Sequence, residues 1–424
     1  IWRFEDIDTP FFEFLVPILA SELARLGISL PIPGLEVMTQ RRDAKLARLP
    51  FHLLTEGHSP LIHALEALGP SLGDPQFDSL RDARAPNGSY GCSPAATAAV
   101  LIYHTPWDAQ AAQWLRRLVN RSPGASEGLR GAMPTSHPAD TFEAAWALHF
   151  LLHSGVALDV ATNSSVQKLL RLLAASLTPA GVSFSRNHAL PPDADDTAVT
   201  IALLNRLGVQ TNLAPLWTFL RGDHLITYIS ERTASVSANA HALEALLGVD
   251  AIGVDRALTR RRTHLVEFLL AQRDPGGFWR DKWHISPLYA TLESILALTK
   301  VPEQAVWRQL EPTLDWLLGA QDNAGVWRQA PATTILAADM AAIEETAYGV
   351  LALRTLARTL AAIVPQRMLR MATQQLRRGQ GFLAGYAAPT TLNLLRLPAM
   401  YVDKGLYIPY RVVRAAILAA LSGG

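Results

Sequence analysis

The chain has 424 residues, of which 49% are hydrophobic and only 18% charged. Such a composition fills a large interior and excludes disorder; at roughly 150 residues per domain it predicts two or three domains. The formal net charge of +1 excludes an electrostatic footprint for nucleic acid, and a single cysteine, Cys92, excludes a disulfide framework and a multi-cysteine zinc site.

The chain opens on Ile1, which predicts a missing native N-terminus, and no basic–apolar secretory signal follows. "FFEFLVPILASEL" is apolar but carries Glu13 and Glu22, and no run approaches the ~18 uninterrupted apolar residues of a membrane span. The expectation is a cytoplasmic protein, with room for peripheral membrane contact and a homodimer. "LIHALEAL" (61–68), the turn "APNGSYG" (85–91) and "IYHTPW" come next. "ALHFLLHSG" and "QKLLRLLAASL" then show apolar residues at i, i+3, i+4 and i+7, and "HLVEFLLAQ" and "TLDWLLGAQ" repeat that period further on. Period-two alternation is hard to find. The chain reads as all-α.

Two internal repeats run through it. "LAQRDPGGFW" (270–279) and "GAQDNAGVW" (319–327) each end a helix in Gln, turn at Gly and close on Trp; "APNGSYG" and "TPAGVSFS" (178–185) echo them weakly. A second series of polar-headed apolar helices begins at Asp140, Asp195, Asn239, Tyr289 and Glu344, in steps of 55, 44, 50 and 55 residues. Repeats of this period mean stacked or ring-closed helical hairpins. Polar groups opening every inner helix favour a closed α/α barrel with one mouth.

"PPDADDTAV" places Asp193, Asp195 and Asp196 at the head of one such helix. A lone Asp–Thr pair there is an N-cap. Three carboxylates in four residues repel one another near an apolar cavity, and one is pushed to stay protonated at neutral pH. A neutral carboxylic acid among ionised neighbours is suited to strong acid catalysis, and in an apolar barrel the natural proton acceptor is an alkene.

The "DADD" run resembles the DxDD motif of class II terpene cyclases, in the DxDDTA form of the bacterial diterpene branch. "LIHALEAL", "NGSYGCSPAATAAVL" (87–101), "RDKWHISPLYAT" (280–291) and "YVDKGLYIPYRVVRAAILAAL" (401–421) also resemble segments of that family, and the Gln-to-Trp turns resemble its QW motifs. The resemblance runs from about residue 10 to the C-terminus. It departs from the family where about a hundred N-terminal residues are expected, and where the family's magnesium-associated acidic segment is represented only by Glu66.

The resemblance implies two α/α-barrel domains, a γ-like one over 1–133 and a β-like one over 134–424 that carries DxDD, with substrate in the crevice between them. It implies an isomerase that protonates the terminal alkene of a linear prenyl diphosphate and closes a bicyclic decalin diphosphate. Asp195 is then the general acid, and Asp193 and Asp196 hold its proton. Asn239 and His241 are its tuning partners. Trp283, Tyr289, Tyr348 and, more weakly, Phe184 and Trp279 offer aromatic faces to the cation. Lys404, Lys282 and His104 face the diphosphate, with one Mg²⁺ on Glu66. No DDxxD occurs, which argues against metal-driven loss of the diphosphate. Geranylgeranyl diphosphate is favoured as substrate, with farnesyl diphosphate, giving drimenyl diphosphate, close behind. The alternatives are an α/α-toroid glycoside hydrolase using Asp195 with Glu344 or Glu345, a helical scaffold, and a protein prenyltransferase subunit, whose zinc site Cys92 is badly placed to serve.

Overall fold

The computed structural model of the chain describes residues 12–48, 52, 54, 59–121, 133–155, 160, 162–186, 190–229, 231–249, 255–331, 338–388, 397–403 and 406–422. The fold is all-α. Strands are two-residue pieces such as Leu220–Arg221 against His224–Leu225.

The chain forms two compact units, residues 1–140 with 183–192 and 403–407, and residues 141–182 with 193–402 and 408–424. Residues 134–140 and two short segments farther along, beyond the sequence boundary at 133, therefore group with the first unit. In that unit, α1 (Phe12–Arg25) packs on α2 (Leu35–Leu46), and α3 (Pro94–Tyr103) packs on α4 (Ala109–Arg121) and on the 3-10 helices Pro60–Ala67 and Gly69–Gly73. Its core joins Leu61, Ile62, Leu65, Phe77, Tyr90 and Val100, with Leu190 contributed from the inserted segment. "LIHALEAL" is 3-10 rather than α, broken at Ala64.

The second unit is a double ring. Its inner helices are α5 (Asp140–His153), α7 (Ala194–Arg206), α8 (Val236–Leu247), α10 (Pro287–Leu298), α13 (Ala338–Thr359) and α15 (Tyr410–Leu421). Contacts run α7–α8–α10–α13–α15. α5 closes the ring, with Glu143 bonded to Arg411 of α15 and the Leu152 carbonyl accepting from Arg206 of α7, while Trp146 reaches across to Tyr289 of α10. Every residue of α10 is buried, and so is every residue of α8 up to Leu246. A helix buried on all sides lies inside a layered structure. Outside them α6 (Ser164–Ser176), α9 (Arg256–Ala271), α12 (Glu311–Ala320) and α14 (Gln366–Ala384) bury one stripe each, as amphipathic helices do. α11 (Gln304–Arg308) is a single turn before α12.

The turns share one hydrogen bond. The backbone N–H groups of Trp279 and Trp327 donate to the hydroxyls of Thr291 (3.0 Å) and Thr346 (3.3 Å) on the next inner helix. The weak echoes do the same: Tyr90 donates to Thr97 (3.0 Å) and Val182 to Thr197 (2.8 Å). Each tryptophan also donates its indole N–H to a carbonyl ten residues upstream, Leu269 or Leu317. Gln321 bonds the Gln375 carbonyl of the neighbouring hairpin, as its position in the repeat suggests, while Gln272 is exposed. The turn before Trp279 needs glycine. Gly277 has φ +94°, and a Cβ there would lie 2.5 Å from the Pro312 carbonyl oxygen.

Candidate active site

The site is built on the N-terminus of α7. Asp193 is its N-cap, extended at φ −132°, and its carboxylate accepts the Asp196 N–H at 2.8 Å. The capping reading of "DADD" therefore holds for Asp193. That geometry turns Asp193 toward Asp196, and the two carboxyls share one environment. Burial, opposed in part by the hydrogen bonds from Asp196, pushes Asp193 up to about 7. Burial and the Asp193 charge push Asp196 well above the usual carboxylate range.

Asp195 goes elsewhere. Its Oδ1 meets Nδ1 of His241 at 2.5 Å, and its side chain keeps 12% exposure where Asp193 and Asp196 are buried. Burial raises its carboxyl above the ordinary value, and His241 opposes that rise. The expectation that Asp193 and Asp196 hold the acid's proton is thus replaced by a different division: those two hold each other, and histidine holds Asp195.

His241 stands on α8, and Nε2 of its ring faces Glu293 Oε2 of α10 at 3.1 Å. Glu293 is met on the same oxygen by His149 Nε2 of α5 at 2.8 Å. Burial works against charge on His241, yet the Asp195 and Glu293 carboxylates hold its imidazolium well above histidine's usual range. Burial likewise works against charge on Glu293, and the histidines hold it down at about 2. Among the described residues, Asp195–His241–Glu293–His149 is a continuous row of alternating acid and base.

Asn239, expected beside the acid, is a turn residue. Its Oδ1 accepts the Leu225 N–H at 2.8 Å, and its Nδ2 donates to the Leu225 and Ser235 carbonyls. It occupies on α8 the place that Thr97 and Thr197 hold four residues past their own N-caps.

Aromatic rings flank the row. Trp146 lies 5.4 Å from the His241 ring and donates to the Tyr289 hydroxyl at 2.8 Å. Tyr289 stacks on His284 at 4.7 Å, and Tyr348 and Tyr401 share a 2.8 Å hydroxyl bond. Tyr289 and Tyr348 are thus brought into one cluster, to which the structure adds Trp146, Phe142 and Tyr401. Trp283 is half-buried on Thr227, and Trp279 is fully buried in its turn. Phe184 packs against the core of the first unit.

The described members of the anticipated diphosphate set make other contacts. Lys282 is nearly buried in an ion pair with Glu231 at 2.8 Å and also donates to the Thr233 carbonyl. His104 bonds the Phe77 carbonyl at 2.9 Å. Lys404 lies outside the described residues. Glu66 belongs to no group of three His, Cys, Asp or Glu ligands among the described residues. Glu344 accepts from His284 and Tyr348, and Glu345 from Ser286 and the backbone of Gln329 and Ala330, which gives both carboxylates local roles instead of a place beside Asp195.

Sequence reasoning missed Glu293, His149 and Asp281. Asp281 accepts from Ser235, Val236 and Ser237 and so caps α8, which carries His241. The signal for Glu293 was present: a carboxylate midway along "YATLESILAL" has no apolar reason to be there.

Comparison with known proteins identifies the family. Residues 223–385 match the squalene-hopene cyclase C-terminal domain family. The chain is 34% identical to the protein y4kT of Sinorhizobium fredii, over 96% of this chain and 73% of that one. It is 32% identical to the ent-copalyl diphosphate synthase of a Streptomyces species, over 98% of this chain and 74% of that one. The solved ent-copalyl diphosphate synthase of Streptomyces platensis superposes with a TM-score of 0.76 at 30% identity, covering 98% of this chain and 77% of that one. The chain belongs to the class II terpene cyclases, and it is an enzyme of their isomerase class.

Proposed function

We propose that this cyclase protonates the terminal alkene of a linear prenyl diphosphate from Asp195 and releases a bicyclic decalin diphosphate. One observation carries the reading: a carboxyl with slight exposure, hydrogen-bonded at 2.5 Å to a buried histidine, beside a cluster of aromatic rings. With Oδ1 taken by His241, Oδ2 delivers the proton. The carboxylate left behind is stabilised by the imidazolium, so charge developing in the transition state meets a preorganised partner. The tertiary cation is attacked by two internal alkenes in turn, and a base takes the last proton. Atoms balance as an isomerisation.

Tyr289 and Tyr348 supply faces for the travelling cation, each worth about 1–2 kcal/mol when desolvated. The relatives named copalyl diphosphate synthases support geranylgeranyl diphosphate over farnesyl diphosphate. Lys404 remains the proposed diphosphate anchor. Glu66 is the proposed carboxylate for one Mg²⁺, an ion that takes few protein ligands and completes its shell with phosphate oxygens and water. When bound, it would offset diphosphate charge.

The test is direct. Purified protein is incubated separately with each diphosphate, and the products are dephosphorylated and identified by gas chromatography–mass spectrometry. A bicyclic alcohol from the wild type and none from Asp195→Asn, with the helical circular dichroism of both unchanged, is the expected result. Pyrophosphate release coupled to hydrocarbon formation, or full turnover by Asp195→Asn, would overturn it.

A further inference from the structure

We propose that Glu293, clamped by His149, is the positioning residue that keeps His241 charged and aimed at Asp195, so that the strength of the acid is set two side chains away from it. This rests on the proposed role of Asp195 and goes beyond it.

The geometry carries the argument. An imidazole between two carboxylates, 2.5 Å from Asp195 and 3.1 Å from Glu293, has both ring nitrogens fixed as donors. A neutral ring can donate from only one of them. Glu293 could turn away were it alone, but His149 meets the same Oε2 at 2.8 Å and fixes its direction. The three side chains come from α8, α10 and α5, and each is no more than 2% exposed. Water therefore screens them little.

The remaining charges around the row are accounted for. Asp281 lies close enough to raise Asp195 further. Beyond His149 on α5, His153 meets Glu244 at 3.1 Å, and Lys300 contacts both. Burial lowers His153 to about 4, leaving it neutral, while Lys300 helps hold Glu244 ionised. Arg206 approaches His153 from α7. Lys300 also feels the Glu293 charge, but its contact is with Glu244, while Glu293 is hydrogen-bonded to His241 and so serves as that ring's counter-ion.

The assignment explains why an apolar core helix carries a carboxylate at all. Without it, the second nitrogen of His241 would face a buried void in hydrogen bonding, and the ring would lose its proton in the neutral range. Asp195 would then be a weaker acid, since its conjugate base would face a neutral ring.

The experiment uses the full chain labelled with ¹⁵N-histidine. The His241 ring signals are identified by their loss in His241→Gln, and they are followed from about pH 6 to about pH 9 in wild type, Glu293→Gln and His149→Gln. Imidazolium shifts at both nitrogens throughout are expected in the wild type, with titration to the neutral ring inside this range in Glu293→Gln. In parallel, Glu293→Gln should lower kcat roughly tenfold or more with KM little changed, and its activity should fall at lower pH than that of the wild type; Glu293→Asp should recover part of both. Identical His241 titration in wild type and Glu293→Gln would overturn the proposal, as would an equal kcat loss at every pH. If Glu293→Gln does not fold, His149→Gln and Glu293→Asp carry the same comparison. A wild type that shows the imidazolium but yields no cyclic product would count against the role of Asp195 alone, because the ring signals need no substrate.

Discussion

Asp193 and Asp196 make a pH-sensitive fold out of a catalytic neighbourhood. Asp193 stands at about 7 in the folded chain against an ordinary 3.8, and Asp196 is raised well above it. A carboxyl raised by folding contributes stability that is fully present below its unfolded value and is lost as pH climbs through its folded one. His241, raised above 6.5, works in the same sense at higher pH. The melting temperature is therefore expected to fall from about pH 4 to about pH 7 as Asp193 ionises, and to keep falling above that as Asp196 and His241 lose their protons. Asp196→Asn, which removes the carboxyl that folding raises furthest in the pair, should flatten that slope in calorimetry. An unchanged slope would mean that the pair does not share a proton. Much of this site was legible beforehand, because three carboxylates in four residues have few innocent explanations. What could not be read was which carboxyl faces which partner. The N-cap geometry decides that, and it sends Asp193 to Asp196 while Asp195 meets a histidine 46 positions away. Asn239 looked catalytic because it stands two residues before that histidine; its amide instead completes a turn.

At the scale of elements, the repeat is held by a hydroxyl more than by its tryptophan. Four turns of differing sequence hand one backbone N–H to a threonine on the helix that follows. This is why "APNGSYG" and "TPAGVSFS" read as faint copies: side chains in the turn vary, and the conserved feature of the geometry is a backbone donor. Thr291→Val is nearly isosteric, yet it leaves the buried Trp279 N–H unpaired, a cost of roughly 1–3 kcal/mol. Thermal melting should show that loss, and an unshifted midpoint would mean that the turn relaxes onto another acceptor. The helices themselves were readable from their period, and the inner ring from its lack of an exposed stripe. The 3-10 character of Pro60–Ala67 was not, since its apolar spacing matches an α-helix and tertiary packing decides the pitch.

For the whole molecule, the chain leaves one unit for the other and returns more than once. The first unit needs Leu190 in its core, and His63 pairs with Asp403 at 2.6 Å. A fragment ending at Asp140 is therefore expected to melt without a cooperative transition in circular dichroism, and a sharp transition would show that residues 183–192 and 403–407 are dispensable to it. The same threading bears on inheritance. The passage from residue 192 to 193 ends an excursion into the first unit and begins the aspartate motif. A single recombination crossover between two such genes cannot exchange one unit whole, for it always leaves an inserted segment from the other parent. A working hybrid of this chain would have to carry its ten-residue and five-residue inserts across with the body they complete.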